Sequence, residues 1–372
     1  MKVAERELII DIGGSSIGAC FVTHHDEGNS EISNTVRVPF KIGSVDVRGG
    51  LQEIALLTLK QALEGLNRTG TIQKTHIVLA DPWYQAETKA IVSESEKPLR
   101  ISMGTALHAI EKQREESGTQ KRTGRRMIES LITQLYVNGY PTTLSKTVHG
   151  TSLTTHVYES EADESFVVKA TNIIRDNFPH APLSFHTRAF VMFAVLRNLR
   201  EEDSFVMLDI GAETSEVVIA HRDALTFTHS FPVGTLTLAR EIANGGSLAD
   251  ALARLQLYTK SELSEDEMSS FNLKFEVMGK NWFSEYQKAS DSAFKNIAVP
   301  QIAFLLSDQD SLQWLHRMMQ QIAVPLLPTI IPLTTTFFQN MLSLGSNARY
   351  DVPLSFASLF SKSQGSTIDL HT

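Results

Sequence analysis

The chain opens with alternating apolar and polar blocks that predict an α/β unit. Three runs rich in branched apolar residues, at 8–14, 15–25 and 30–40, are separated by glycine or polar turns, which is typical of a β-meander. From Leu51 to Leu66 the apolar residues recur at near-helical spacing, and a further strand pattern follows at 76–83. The order of strands, helix and strand therefore indicates an α/β arrangement.

After Tyr84 the pattern changes. Residues 110–126 are strongly charged and keep no apolar period beyond their start, which predicts a helix end that runs into a mobile loop. Two strand patterns, at 128–141 and 149–160, lie around a turn at Asn138-Gly139. We therefore predict that a small module is inserted between the first strands and the rest of the chain.

The second half returns to strands and helices. The pattern predicts a helix over Phe166–Phe178, followed by a short strand and an apolar helix over 181–198. A second set of strands begins at Ser204, residues 248–298 are largely helical, and strand, turn and helix follow at 302–323. The apolar run at the end, 354–360, predicts a final helix that packs on the first lobe.

Composition narrows the class of protein. The chain has 372 residues, which is too long for one ordinary core and predicts two or more domains. The formal net charge of −8 gives no sign of a surface for nucleic-acid phosphates. A single cysteine, Cys20, excludes an internal disulfide and favours a reducing compartment. We predict a cytoplasmic protein.

Two segments share one pattern, LIIDIGGSSIGACFV at 8–22 and FVMLDIGAETSEVVIA at 205–220. In each, an apolar strand ends in an aspartate, and a turn with glycine and hydroxyl residues leads into another apolar strand. Glycine lets backbone N–H groups approach an anion closely, and Ser or Thr adds donors. A carboxylate at a strand end can hold Mg²⁺ through water, because Mg²⁺ prefers oxygen ligands and keeps part of its hydration shell.

If the two hairpins face one another, they would clamp the phosphates of one nucleotide in a cleft between two lobes. The alternative is two ordinary β-hairpins with Asp-Gly turns. Asp11 and Asp209 are the candidate metal residues, through water. The candidate phosphate-side residues are Asp11, Gly13, Gly14, Ser15, Ser16, Asp209, Gly211, Glu213, Thr214 and Ser215.

These segments resemble the first and second phosphate motifs of the actin/Hsp70/sugar-kinase superfamily. Residues 207–243 are similar to the second motif of the bacterial cell-division family FtsA and of its relative, the type IV pilus family PilM. In that family a strand ends in Pro, an apolar residue and two glycines, whereas here Pro232, Val233 and Gly234 are followed by Thr235. The resemblance adds Gly234 to the candidate residues and implies ATP with Mg²⁺ as the ligand.

The block 128–160 resembles the inserted subdomain 1C of FtsA, an SHS2-type module. The resemblance covers most of residues 7–243. It implies an α/β, actin/Hsp70-like fold with two lobes and duplicated β-sheet cores. The expected division is a first lobe at 1–84 and 160–200 that is completed by 330–372, an inserted module at 85–159, and a second lobe at 201–329.

Departures from the family pattern concern the nucleoside side of the site. Residues 247–258 lack the Glu-x-x-Lys element that the family places near adenosine. Ser307, Asp308 and Gln309 stand where the third motif has glycines, so their side chains would crowd a nucleoside. The helix start at His186 to Arg188 lacks the acidic or Gln residue that positions water in family ATPases. The resemblance with these departures implies weak or lost nucleotide binding and negligible hydrolysis.

We therefore expect an FtsA-like scaffold without catalytic residues. It would recruit partner proteins of the division machinery and self-associate into filaments. Its contact with the membrane would be indirect, at the inner face of the cell membrane. A PilM-like scaffold with partners in the pilus machinery is the first alternative. A sugar-kinase-type phosphotransferase is the second, although no carboxylate base follows the strand near Ser184. An Hsp70-like ATPase is disfavoured because no peptide-binding domain follows the second lobe.

Overall fold

A computed structural model describes residues 6–25, 28–41, 50–66, 71–116, 123–295, 297–321 and 328–363. Its elements follow in chain order. They are β1 (Arg6–Ile12), β2 (Ser16–Thr23), β3 (Ser30–Pro39), α1 (Leu51–Glu64), β4 (Lys74–Leu79), β5 (Tyr84–Ile101), α2 (Met103–Glu116), β6 (Arg125–Val137), β7 (Tyr140–Thr142), β8 (Val148–Asp163), α3 (Glu164–Asn177), β9 (Leu183–Thr187), α4 (Arg188–Leu199), β10 (Phe205–Ile210), β11 (Ser215–His221), β12 (Ala224–Phe231), α5 (Thr235–Ala243), α6 (Leu248–Lys260), α7 (Glu265–Phe294), β13 (Ile302–Ser307), α8 (Gln309–Gln321), β14 (Thr329–Pro332), a short 3₁₀ helix (Thr335–Phe338), β15 (Leu342–Leu344) and α9 (Val352–Ser363).

The first sheet has six strands in the order β15-β3-β2-β1-β4-β9. Strands β1, β2 and β3 are antiparallel neighbours, whereas β4 and β9 run parallel to β1. Nearly every residue of β1 and β2 is buried, as expected for strands that are covered on both faces. Helices α1 and α3 pack together beside β2, and α4 packs with α9, which contacts β1, β2 and β4. Asp11 thus lies in the centre of the sheet.

The second sheet repeats this plan with five strands in the order β12-β11-β10-β13-β14. Strand β10 is antiparallel to β11 and parallel to β13, as β1 is to β2 and β4. Helices α5 to α8 enclose a separate apolar core in which Trp282 and Trp314 are fully buried. Asp209 of β10 therefore occupies the position in this sheet that Asp11 occupies in the first.

A third sheet, in the order β5-β8-β6-β7, packs its apolar residues against α2. The sequence pattern missed β5, because only Tyr84, Ile91 and Ile101 of its residues are buried and the rest are mostly polar. The predicted Asn138-Gly139 turn is present, with positive φ at both residues, but it joins β6 to the short β7 and not to β8. Part of the predicted charged loop, 117–122, lies outside the described residues.

The chain returns to the first sheet near its end. Strand β15 pairs in parallel with β3, and the predicted final helix is α9, which packs on β1 and α4. The predicted domain boundaries at residues 84, 159, 200 and 329 remain a proposal. Within the described ranges, no helix is both long and apolar enough to cross a membrane.

Candidate functional site

The two predicted phosphate turns have the same backbone geometry. In the first turn the Gly13 N–H donates to the Ser16 carbonyl, and in the second the Gly211 N–H donates to the Thr214 carbonyl, both at 2.9 Å. Each turn joins the central strand of its sheet to an antiparallel neighbour. The repeated sequence pattern therefore forms a repeated structure.

Arg188, the first residue of α4, lies between the two aspartates. Its Nη2 donates to Asp11 Oδ1 at 2.5 Å, and its Nη1 donates to Asp209 Oδ2 at 3.2 Å. All three residues are buried, with exposures of 7% for Arg188, 0% for Asp11 and 7% for Asp209. Burial alone would lower the pKa of Arg188, but the two carboxylates outweigh it and the pKa is raised. One guanidinium thus joins the central strands of both sheets.

A second arginine holds the other side of Asp11. Arg37 of β3 donates from Nη2 to Asp11 Oδ2 at 3.0 Å and from Nη1 to Ser16 Oγ at 2.9 Å. It also donates to both oxygens of Asp351, at 2.5 and 2.7 Å. Burial would raise the pKa of Asp351, but the adjacent Arg37 cation lowers it. Both oxygens of Asp11 therefore accept hydrogen bonds from arginines.

Burial raises the pKa of Asp209, against the effect of Arg188. Its Oδ1 has no hydrogen-bond partner among the described residues. Because a carboxylate that is short of partners is costly to bury, Asp209 is incompletely satisfied in the cleft.

The two turns also touch one another. A Cβ added at Gly14 would lie 3.2 Å from the Asp81 carbonyl oxygen and 3.8 Å from the Ala212 amide nitrogen. Only about a methyl group of space therefore separates the first turn from the second at this point. A side chain at position 14 would therefore need a small shift of the Asp81 carbonyl, whereas its contact with the second turn would be an ordinary van der Waals contact.

Ser307 and Asp308, whose side chains are predicted to crowd a nucleoside, form hydrogen bonds with the two turns. Asp308, from the end of β13, accepts a hydrogen bond from Ser15 Oγ at 2.8 Å. Ser307 Oγ donates to the Ile210 carbonyl at 2.7 Å. The Trp83 indole N–H donates to the Gly13 carbonyl at 2.7 Å. The first turn is thus held from both lobes.

Two hydroxyls predicted to bind phosphate are used inside the protein. Ser215 is 1% exposed, donates to the Val233 carbonyl at 2.5 Å and accepts from the Trp282 indole at 3.0 Å. Ser16 Oγ faces Arg37. Both hydroxyls therefore already have hydrogen-bond partners within the protein, and their contact with phosphate stays a prediction.

Glu213, which is also a predicted phosphate-side residue, forms an exposed salt bridge with Arg240 at 2.6 Å and accepts from Thr237 at 3.4 Å. Gly234 packs on the second turn, where an added Cβ would lie 2.4 Å from the Ala212 carbonyl oxygen. The first amides of α5, at Thr235 and Leu236, donate to the Gly211 and Ala212 carbonyls. The start of α5 is therefore bonded to the turn.

Sequence reasoning missed the two arginines and Asp351. A signal for Arg188 was present, since it precedes an apolar run of α4 and a buried charge needs a counter-ion. No sequence signal linked Arg37 or Asp351 to Asp11. These residues come together only when β3 joins the sheet and α9 packs on it.

A groove of about 1240 Å³ opens beside this cleft, between the third sheet and β12. At its floor the Tyr84 hydroxyl donates to Glu216 Oε2 at 2.5 Å, and Thr228 Oγ1 donates to Glu216 Oε1 at 3.1 Å. Burial, with the nearby Asp81 carboxylate, raises the pKa of Glu216 to about 8. The Glu216 carboxyl thus links the start of β5 to strands β11 and β12 of the second sheet.

ATP with Mg²⁺ does not fit these residues as they stand. A metal ion between Asp11 and Asp209 would lie beside the Arg188 cation, and like charges repel strongly in a buried site. Among the described residues, no group of three or more His, Cys, Asp or Glu side chains could hold a metal.

No protein-family model matches the chain, and no curated protein matches it by sequence. Among solved structures, a chain of the PilM–PilN type IV pilus biogenesis complex is similar, at 14% identity and a TM-score of 0.61, with 97% of this chain and 99% of that chain covered. The two-lobed α/β fold is therefore that of the actin-like ATPases. This confirms the predicted fold class.

Two weaker likenesses were also found. One is a Bacteroides thetaiotaomicron protein with an actin-like ATPase fold and unknown function, at 11% identity and a TM-score of 0.42, with 97% of each chain covered. The other is the ethanolamine utilization protein EutJ from Carboxydothermus hydrogenoformans, at 11% identity and a TM-score of 0.45, with 96% of this chain and 91% of that chain covered.

Proposed function

We propose that this chain is an actin-fold scaffold that recruits a protein partner in type IV pilus assembly, as a PilM-like protein would, and does not hydrolyse ATP. The observation that carries the proposal is the Arg188 bridge between Asp11 and Asp209. A hydrolase on this fold needs those carboxylates for its metal ion, whereas here they neutralise a cation of the protein itself. The lobes are held without a nucleotide.

The pilus role is supported by the fold likeness to the PilM–PilN complex over 97% of this chain. In that complex the fold assembles with another protein. We propose that this chain likewise acts through a protein partner, in the cytoplasm at the inner face of the membrane, and that the module at 85–159 contributes to the contact.

An FtsA-like division scaffold is the second candidate, because the 128–160 block resembles subdomain 1C. The phosphotransferase alternative requires a carboxylate that is free to accept a proton from a hydroxyl. Glu216, a buried acid that lines the groove, is already hydrogen-bonded by Tyr84 and Thr228, which argues against that role for this residue.

The enzymatic part is tested by titrating the protein with ATP and Mg²⁺ in a calorimeter and by measuring phosphate release. We expect no binding heat at micromolar ligand and no turnover. Micromolar binding would contradict the proposal, and turnover stimulated by a sugar would favour the phosphotransferase.

The cellular part is tested by deleting the gene in its source organism. Loss of surface pili with normal cell length would support the PilM-like role. Filamentous cells with intact pili would support the FtsA-like role instead.

A further inference from the structure

A continuous chain of alternating charges links the C-terminal helix to both lobes. It runs from Asp351 to Arg37, then to Asp11, Arg188 and Asp209, with donor–acceptor distances of 2.5 to 3.2 Å at each step. Its members come from the start of α9, from β3, β1 and α4, and from β10 in the second lobe. We name these five residues the ion chain.

The first acid of the ion chain is fixed by α9. The Leu354 N–H donates to Asp351 Oδ1 at 3.2 Å, and the Ser355 N–H donates to the Asp351 carbonyl at 2.8 Å. A change in the position of α9 therefore moves Asp351, and Arg37 with it.

Asp11 is the shared member, because its Oδ2 accepts from Arg37 and its Oδ1 accepts from Arg188. Two guanidinium groups thus share one carboxylate, and each bonds one of its oxygens. If Asp351 is removed, Arg37 loses its other acid and can turn to bond both oxygens of Asp11, since a guanidinium binds a carboxylate well in that two-bond geometry. Arg188 would then lose its partner in the first lobe.

We infer that the ion chain is an interlobe latch that sets the arrangement of the lobes without a nucleotide and places that arrangement under the control of α9. The inference rests on the proposed function, since it assigns to Arg188 the place of a metal ion. Arg188 is the closing residue of the latch, and Asp351 is its remote positioning residue.

The latch is tested by measuring the distance between the lobes with pulsed electron spin resonance. Spin labels are attached through Glu53→Cys on α1 and Gln313→Cys on α8, both of which are exposed, whereas the native Cys20 is fully buried. We expect one narrow distance distribution for the otherwise unchanged protein. Arg188→Met should broaden it and shift its mean, and Asp351→Asn should shift it in the same direction by less.

Arg254→Met is the matched control, because Arg254 forms an ion pair with Glu267 inside the second lobe alone, at 3.1 Å. It should leave the distribution unchanged. An unchanged distribution in Arg188→Met would overturn the latch, and a shift in Arg188→Met without one in Asp351→Asn would overturn the control by α9.

Should Arg188→Met fail to fold by circular dichroism, the charge-balanced pair Arg188→Met with Asp209→Asn replaces it and must show the same shift. These variants are compared without nucleotide. A shift of the distance distribution of the unchanged protein on addition of ATP and Mg²⁺ would instead count against the proposed function. Failure of the latch and failure of the proposed function are therefore distinguishable.

Discussion

At the residue scale, buried charged residues hold the cleft together, and the sequence pattern identified only the two aspartates among them. The repeated pattern correctly predicted that Asp11 and Asp209 would meet, because each ends the central strand of a repeated sheet. The cation between them could not be predicted, since Arg188 reaches both carboxylates only once α4 packs between the lobes. Removing one partner of such a buried pair typically costs about 3–5 kcal/mol, because the remaining charge stays buried without compensation. Arg188 is therefore a structural residue.

Glu216 gives the residue-scale prediction. Its pKa of about 8 in the folded protein lies above its value in the unfolded chain, so the folded state keeps a proton that the unfolded chain releases. The free energy of unfolding should therefore fall as the pH rises from about 4.5 to 8, by up to about 1.4 kcal/mol per pH unit from this group. Glu216→Gln carries no such proton and removes this contribution.

Urea unfolding at pH 5, 6, 7 and 8 checks this prediction. The stability of Glu216→Gln relative to the unchanged protein should increase steadily with pH over this range. Glu94→Gln, at an exposed position on β5, is the control and should give a difference that does not change with pH. A flat difference for Glu216→Gln would show that the acid is ionised in the folded state.

At the element scale, the sequence predicted elements with strong apolar patterns and missed those without them. The helices at 164–177 and 352–363 and the strand pairs around both turns were expected. Strand β5 was missed because it is an edge strand that pairs only with β8 and presents mostly polar residues. The buried hydrogen bond of Ser215 could not be predicted either, because its donor, Trp282, comes from α7, far along the chain.

Gly234 gives the element-scale prediction, because it lets α5 start directly against the second turn. A methyl group there would lie 2.4 Å from a backbone oxygen, which no side-chain movement can relieve. We expect Gly234→Ala to lower the free energy of unfolding by about 1–3 kcal/mol, the usual cost of overpacking. Denaturant unfolding of the purified variant measures this.

Gly104→Ala is the matched control, since the added methyl would meet only Ser102 Oγ at 3.6 Å and the residue lies in helix α2. It should be neutral or stabilising by up to about 1 kcal/mol, because alanine favours helix. Equal stability of the two variants would mean that α5 can move away from the turn at little cost.

At the scale of the whole molecule, the sequence predicted a two-lobed α/β fold, and the fold likeness confirms it. Two sheets of one plan meet at their turns, and the ion chain crosses from one to the other. The role of that meeting point was harder to predict. Phosphate-binding turns and turns that pack on one another use the same glycines, so only the packing distinguishes them.

The guanidinium of Arg188 fills the place between Asp11 and Asp209. Crystals grown with Mn²⁺ and a non-hydrolysable ATP analogue test it, because anomalous scattering locates the metal directly. We expect Arg188 to bridge both carboxylates and no manganese peak to lie between them. A manganese peak there, with nucleotide phosphates beside Gly14 and Arg188 swung away, would contradict it.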